Sequence, residues 1–342
     1  MTINSAPMAD PRPVPDHELK ARIRGELARG FTRPPALLPV VRPLQDLSAV
    51  MDLGKLAAMA AAASNGMELG FALISKEYIQ TGLNWINAMH RIGFNNFIVI
   101  AGDEFSSKQM EERGIHSVRA IIDEDKFDAS FMSHDGFSAK GLAMIAFKFP
   151  VARFLVNSGY SVVLSDADAI WLRDPMPFMR GTDVAFQRID YHPPSIAKLW
   201  GFAACTGFVF FRHDTRTIAF LDRCIEEHQL FHCDQVAMNV ALLEDDPDWY
   251  CDHASWLPPG SVVHHDRANM RAAFAKLVKS PISGVLRRSG LQLLALPHDK
   301  FWRHRWVPSS LSDMVICHPN SPKADLEKQK TFEALGVRFL TG

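Results

Sequence analysis

The run from Gly159 to Pro175 limits what this chain can fold into more than any other stretch. Tyr160 to Leu164 is short, apolar and rich in β-branched residues, which predicts a buried strand. The strand ends in Asp166-Ala167-Asp168. In an extended chain residues i and i+2 share a face, so both carboxylates would leave the strand end together. Like charges that close repel and raise each other's pKa unless a cation lies between them. Oxygen ligands suit a hard divalent ion, Mn²⁺ or Mg²⁺, better than zinc. The plain alternative is an Asp-rich turn that caps the next segment. The buried strand before the pair and Ile170 to Pro175 after it favour the metal site.

At 342 residues, 47% hydrophobic and 22% charged, the chain suits one large α/β domain with extensions or two smaller domains. The 37 Lys and Arg nearly balance the 38 Asp and Glu, for a formal net charge of −1. That balance points to no nucleic-acid or anionic-membrane partner. Cys205, Cys224, Cys233, Cys251 and Cys317 are odd in number and form no Cys-x-x-Cys pair. Free thiols in a reducing compartment are expected. The polar N-terminus lacks the features of a secretory signal. The longest apolar stretch, Leu56 to Ala63, is far short of the roughly 20 residues that span a bilayer. A cytoplasmic location is expected.

Residues 1–65 read as an N-terminal extension with a Pro-rich start and helices at Asp16 to Arg29 and Leu47 to Ala63. From residue 66 a second pattern begins. Strands are predicted at Leu69 to Ile74, Asn96 to Ala101 and Ile115 to Ile121, with helices at Tyr78 to Arg91 and Ser106 to Arg113 between them. Such alternation predicts a mostly parallel sheet flanked by helices. Asp123 to Asp135 reads as a loop and Ala139 to Ser158 as one long helix feeding the Asp-x-Asp strand. Further strands are expected at Val184 to Gln187, Gly207 to Arg212, Leu291 to Leu296 and Met314 to Ile316. Thr215 to His228 and Asp234 to Leu243 read as helices. A Pro-containing loop surrounds His192, and Asp245 to Arg288 shows no clear period. The tail from Asp325 reads as a charged helix and a last short strand.

Other motifs divide between site and scaffold. A strand ending in Asp-x-Asp also resembles the nucleophile motif of haloacid-dehalogenase phosphatases. That motif wants Thr or Val where Ile170 stands, and it falls near the start of its domain. Thr206-Gly207-Phe208 is either a turn or a place where backbone approaches a ligand. Asp234-Gln235 opens a helix, where the Asp is either a cap or a site residue. His228, His232 and Cys233 lack a fourth ligand and a standard zinc spacing. Cys317-His318-Pro319-Asn320 follows a strand.

Taken in order, these pieces resemble the nucleotide-diphospho-sugar transferases of glycosyltransferase family 77. Thr81 to Trp85 with Ile98 to Asp103 resembles the family's first strand-helix-strand unit. Phe147-Lys148-Phe149, Gly159-Tyr160 and Leu164 to Trp171 resemble its central signature almost word for word. Thr206-Gly207-Phe208, Asp234-Gln235 with Asn239, Leu296-Pro297 and His318-Pro319-Asn320 follow in the same order. The resemblance covers roughly residues 67–342.

What it implies is a GT-A fold over residues 66–342 that binds a UDP-sugar and Mn²⁺ or Mg²⁺ and retains the anomeric configuration. Asp166 and Asp168 would hold the metal and contact the ribose, with His318 as third ligand. Asp103 would lie near the uridine. Ser75, Ala167, Thr206, Gly207 and Asn320 would complete the donor site. Lys148 would meet Asp166 or the donor. Asp234 would face the sugar as nucleophile or oxocarbenium stabiliser, with Gln235 as the neutral alternative. Lys148, Lys323 or Lys328 would add positive charge at the leaving group. The acceptor would be a hydroxyl of a glycan, protein or small molecule. Two departures stand out: Cys205 replaces an Asn, and residues 244–290 form an expected insertion that suits an acceptor-binding lid. The rival readings are a nucleotidyltransferase on the same fold and a binding module that has lost catalysis. A nucleotidyltransferase would carry a Gly-rich basic loop after the first strand, and Ser75-Lys76-Glu77-Tyr78 is not one.

Overall fold

Apolar runs of five to seven residues between amphipathic helices can be buried only as strands covered on both faces. The computed structural model describes residues 17–30, 47–121, 139–250, 280–303, 310–320 and 324–340. It opens with α1 (His17–Gly30), α2 (Leu53–Ala63), β1 (Glu68–Ile74), α3 (Ile79–Arg91), β2 (Phe97–Ala101), α4 (Glu104–Glu111) and β3 (Ser117–Arg119). Next come α5 (Ala139–Ala146), α6 (Lys148–Asn157), β4 (Ser161–Ser165), β5 (Ile170–Trp171), α7 (Met176–Met179), β6 (Val184–Ile189), α8 (Pro194–Trp200) and β7 (Ala203–Phe211). Then follow α9 (Thr215–Phe231), α10 (Asp234–Glu244), β8 (Pro247–Tyr250), β9 (Ile282–Leu286) and β10 (Gln292–Ala295). The chain closes with β11 (Phe301–Trp302), β12 (Ile316–Cys317) and α11 (Asp325–Ala334).

Among the described residues the main sheet has nine strands in the order β3-β2-β1-β4-β7-β6-β10-β9-β8. Seven of the nine run one way and β7 and β9 run against them. The expected mixed, mostly parallel sheet is what the chain forms. Alternate residues divide between two cores, as a pleated strand requires. Leu69, Phe71, Ile98, Ile100, Val162 and Leu164 join one core. Ala72, Ile74, Phe97, Val99 and Val163 join the other. The connections from β1 run outward to β2 and β3, and β4 then returns to the opposite side of β1. A crevice opens beyond the carboxyl ends of strands at such a reversal.

Several elements depart from the sequence reading. The expected long helix is two, because the chain breaks at Phe147. Pro150 falls in the first turn of α6, where its missing N–H costs nothing. The stretch without clear period begins and ends in strands: Trp249 of β8 faces Gly284 of β9, and a Cβ there would lie 2.6 Å from its ring. The flanks of the expected insertion thus belong to the sheet, and residues 251–279 lie outside the described residues. So do the expected loop at 123–135 and Lys323. The expected strand Met314 to Ile316 is the pair Ile316–Cys317, and of the short strand expected after the tail helix there is none: among the described residues no strand follows α11. The loop around His192 leads into α8.

The N-terminal helices pack into the same core as the sheet. Ile23 and Leu27 of α1 and Leu56 and Ala60 of α2 are buried in it. Arg24 pins α1 with a two-pronged pair to Glu227 of α9, both contacts at 2.8 Å.

Candidate active site

A cavity of about 490 Å³ lies at the crevice. Its floor is the turn after β4. Trp85 of α3 and Trp171 of β5 both donate an indole N–H to Ser165 Oγ at 3.1 Å. The hydroxyl in turn donates to the Asp166 carbonyl at 3.1 Å. Asp166 N donates to Gly207 O at 2.7 Å, and Ala169 N closes back on Asp166 O at 2.9 Å. The two carboxylates therefore share a side because of a hydrogen-bonded turn; the sequence reading had assigned this to an extended strand end.

His318, from the end of β12, completes the cluster. Its Nε2 lies 3.2 Å from Asp168 Oδ1 and 4.0 Å from Asp166 Oδ2. One ligand atom from each of the three residues falls within 4.8 Å of the others. Two carboxylate oxygens and an imidazole nitrogen are a donor set that could hold a divalent metal ion. A built cradle surrounds them. Gln187 of β6 donates its Nε2 to Trp302 O at 2.8 Å, which turns its Oε1 towards His318. His318 Nδ1–H donates to that oxygen at 2.8 Å, leaving Nε2 for the carboxylates. Gly207 backs the group: a Cβ there would sit 2.2 Å from His318 Cε1 and 2.8 Å from Asp166 Oδ2. The motif glycine is a close-approach position, not a turn.

Two lysines occupy the other sides of the carboxylates. Lys148 Nζ lies 2.6 Å from Asp166 Oδ1 and 2.7 Å from Asp234 Oδ2. Lys328 of α11 pairs with Asp168 Oδ2. Each aspartate of the turn thus gives one oxygen to a lysine and directs the other at His318. Burial would lower the Lys148 pKa, but Asp166 and Asp234 outweigh it and raise it. Burial would raise that of Asp168, yet Lys328 and His318 hold it well below the usual range. For His318, burial and Arg303 push downward, and the Asp168 charge prevails and raises it.

Asp234 opens α10 at the far wall. Thr206 Oγ1 donates to its Oδ2 at 2.8 Å, and Gln235 N donates to its Oδ1 at 2.9 Å. Asn239, one turn on, accepts from Ala204 N at 2.9 Å and donates to Ala204 O at 2.8 Å. Ala204 is paired with Arg188 of β6 and lies past the last β7 residue paired with β4, and these two bonds fix α10 to β7 there. Gln235 Nε2 donates to His192 O at 2.5 Å.

Ser75, Lys148, Asp166, Ala167, Asp168, Thr206, Gly207, Asp234, Gln235 and Asn320 all line this one cavity, and His318 stands directly behind it. Asp103 does not join them. It caps α4 through Ser106 N at 2.8 Å, holds Lys76 N at 2.8 Å, and lines a smaller neighbouring cavity. The sequence reading missed Gln187, Tyr78, Tyr191 and Arg303. A polar pair, Gln187-Arg188, inside an otherwise apolar strand was the available signal for the first. Tyr78 lines the cavity beside Lys328, and its hydroxyl is pushed up to about 12 by burial and by Asp168 and Asp325.

A family model for nucleotide-diphospho-sugar transferases matches residues 93–329, more than half of the chain. The chain belongs to that family. The match runs from just before β2 into α11, so it contains every charged residue of the cavity. No curated protein matches the sequence. Among solved structures, the family member is similar to the galactosyltransferase LgtC in complex with donor and acceptor sugar analogs. Identity is 11% over 81% of this chain and 98% of that one, with a TM-score of 0.41. It is also similar to the bifunctional glycosyltransferase WbbM, at 12% identity over 52% of this chain and 38% of that one, TM-score 0.35. The glycosyltransferase GlyE of Streptococcus pneumoniae TIGR4 matches at 15% identity over 54% of this chain and 44% of that one, TM-score 0.33. The aligned part spans less than half of WbbM and of GlyE. Family membership rests on the sequence match, not on these superpositions.

Proposed function

We propose that this protein is a metal-dependent retaining glycosyltransferase of the family 77 kind, moving a sugar from a UDP donor to a hydroxyl acceptor. The observation that carries this reading is the meeting of Asp166, Asp168 and His318 with the Lys148–Asp234 pair in one cavity. Asp166, Asp168 and His318 would hold Mn²⁺ or Mg²⁺, which when bound neutralises charge on a leaving diphosphate. Free buried cysteines support a reducing, cytoplasmic setting.

The residues suggest how retention is achieved. Asp234 stays ionised because Lys148 outweighs the effect of its burial. Lys148 and Thr206 hold one of its oxygens and the Gln235 N–H holds the other. A carboxylate tied on both oxygens serves better as a fixed negative charge than as a nucleophile that must shed its partners. In this reading the anomeric C–O bond to the diphosphate breaks as Asp234 stabilises the oxocarbenium character of the sugar. The acceptor oxygen then bonds to the same face, and its proton passes to the departing diphosphate.

A screen of UDP- and GDP-sugars for slow hydrolysis tests the proposal. Consumption of a UDP-sugar that stops in excess chelator and in Asp168→Ala is expected. Full turnover in chelator removes the metal role. Metal-dependent UDP binding with no donor consumed supports a binding module instead.

A further inference from the structure

Three carboxylates and three cationic side chains line the cavity among the described residues: Asp166, Asp168 and Asp234, and Lys148, Lys328 and Arg303. Lys148 joins Asp166 to Asp234, and Lys328 joins Asp168. Every carboxylate is therefore used by a lysine, and Arg303 is left over. Its Nε and Nη1 are buried and make no hydrogen bond. Guanidinium donors withdrawn from water are costly unless an acceptor replaces the water. Arg303 follows β11 directly; Cys205, through charge and a hydrogen bond, and the charges of Tyr191 and Asp168 act on its guanidinium, which in turn acts on His318. Cys205 stands two residues before Gly207, where a thiol leaves more room than the Asn of the resembling family.

We infer that Arg303 receives an anionic oxygen group of the substrate, either a phosphoryl group of the donor diphosphate or a carboxylate on the sugar. Arg is the residue for this task. It stays charged in a buried site, its planar donors match both oxygen groups, and a charge-assisted bond there is strong. The inference deepens the donor-site reading and rests on it. With Lys148 and Lys328 occupied by protein carboxylates, Arg303 supplies the cavity's available positive charge.

Calorimetry on the wild type and Arg303→Met uses three probes: inorganic pyrophosphate in chelator, and UDP-glucose and UDP-glucuronate with Mn²⁺. A loss of about tenfold or more for pyrophosphate and both nucleotide sugars assigns the phosphoryl group. An unchanged pyrophosphate titration with a similar loss for UDP-glucuronate alone assigns the carboxylate. Arg303→Lys should fall between the two proteins, since it keeps the charge and loses the fork. If the wild type binds the probes and Arg303→Met binds all three within twofold, the inference fails and the donor site stands. If the wild type binds none of them, both fail. Should Arg303→Met lose its native melting transition, Arg303→Gln carries the same comparison.

Discussion

Gln187 Oε1 lies 2.8 Å from His318 Nδ1, and this one contact sets which nitrogen of the imidazole faces Asp168. Gln187 is itself locked by its bond to Trp302 O. Replacing it by Leu leaves the Nδ1–H unpaired in a buried site, while Trp302 O keeps its bond from His318 N at 2.9 Å. Mn²⁺ affinity should fall about 10- to 100-fold, as for other partners of metal-bound histidines. Gln187→Glu keeps an acceptor for Nδ1–H and should retain most of the affinity. Equal affinity in Gln187→Leu and the wild type would show that the ring needs no such support.

Gly207→Ala offers a steric test of the same site. The added methyl must displace His318 or Asp166, and it lies on a central strand that cannot back away. Loss of Mn²⁺ binding is expected together with a stability cost on the order of 1–3 kcal/mol, as for other overpacked cores. An alanine variant with wild-type melting and metal titration would remove the close-approach argument.

Lys328 competes with any metal for the charge of Asp168. Its helix is anchored from outside the cavity: Asp325 accepts from Gln80 N at 2.9 Å and Thr81 N at 3.0 Å, capping α3. The chain after it is held by Asn84 Nδ2 on Val337 O and Asn87 Nδ2 on Phe339 O, each at 3.0 Å. Lys328→Met should destabilise the metal-free protein, because Asp168 loses its counter-charge. Without nucleotide, it should bind Mn²⁺ roughly tenfold more tightly, the effect of one charge at such range. Melting curves with and without Mn²⁺ read both effects; weaker binding in the variant would make Lys328 a support for the ligand instead.

Asp234 gives a pH signature. Burial pushes its pKa up, Lys148 outweighs this, and the folded value is depressed. A depressed carboxylate contributes stability above its unfolded pKa of about 3.9, and that contribution is lost as pH falls through the folded value. Asp234→Asn should cost about 2 kcal/mol near neutral pH, less than a fully isolated buried pair because Lys148 keeps Asp166. In urea titrations the gap to wild type should close below about pH 4. A gap of the same size at pH 3 and pH 7 would mean that the charge of Asp234 is not what stabilises the fold.

Periodicity and the Asp-x-Asp turn carried the sequence a long way. Apolar runs such as Phe97–Ala101 and Ser161–Ser165 can be buried only as strands between helices, so the sheet was legible without coordinates. The two aspartates were legible as a pair at the end of a buried strand, whereas Lys148, Asp234 and His318 gained their roles only through the resemblance to family 77. Local pattern failed where the partner is distant. Trp249 and Gly284 make a strand pair across residues with no period of their own, and Asp103 serves a cap that only its neighbours reveal.

What the sequence by itself determined is the inventory: a pair of carboxylates at the end of a buried strand, with a histidine and an Asp-Gln helix after it. Tertiary structure alone decided the charges. Lys328 lies 160 positions after Asp168 and Gln187 lies 131 before His318. Hydrogen bonds and ion pairs of this kind depend on distances of a few ångströms, and the spacing of residues along a chain holds no record of them.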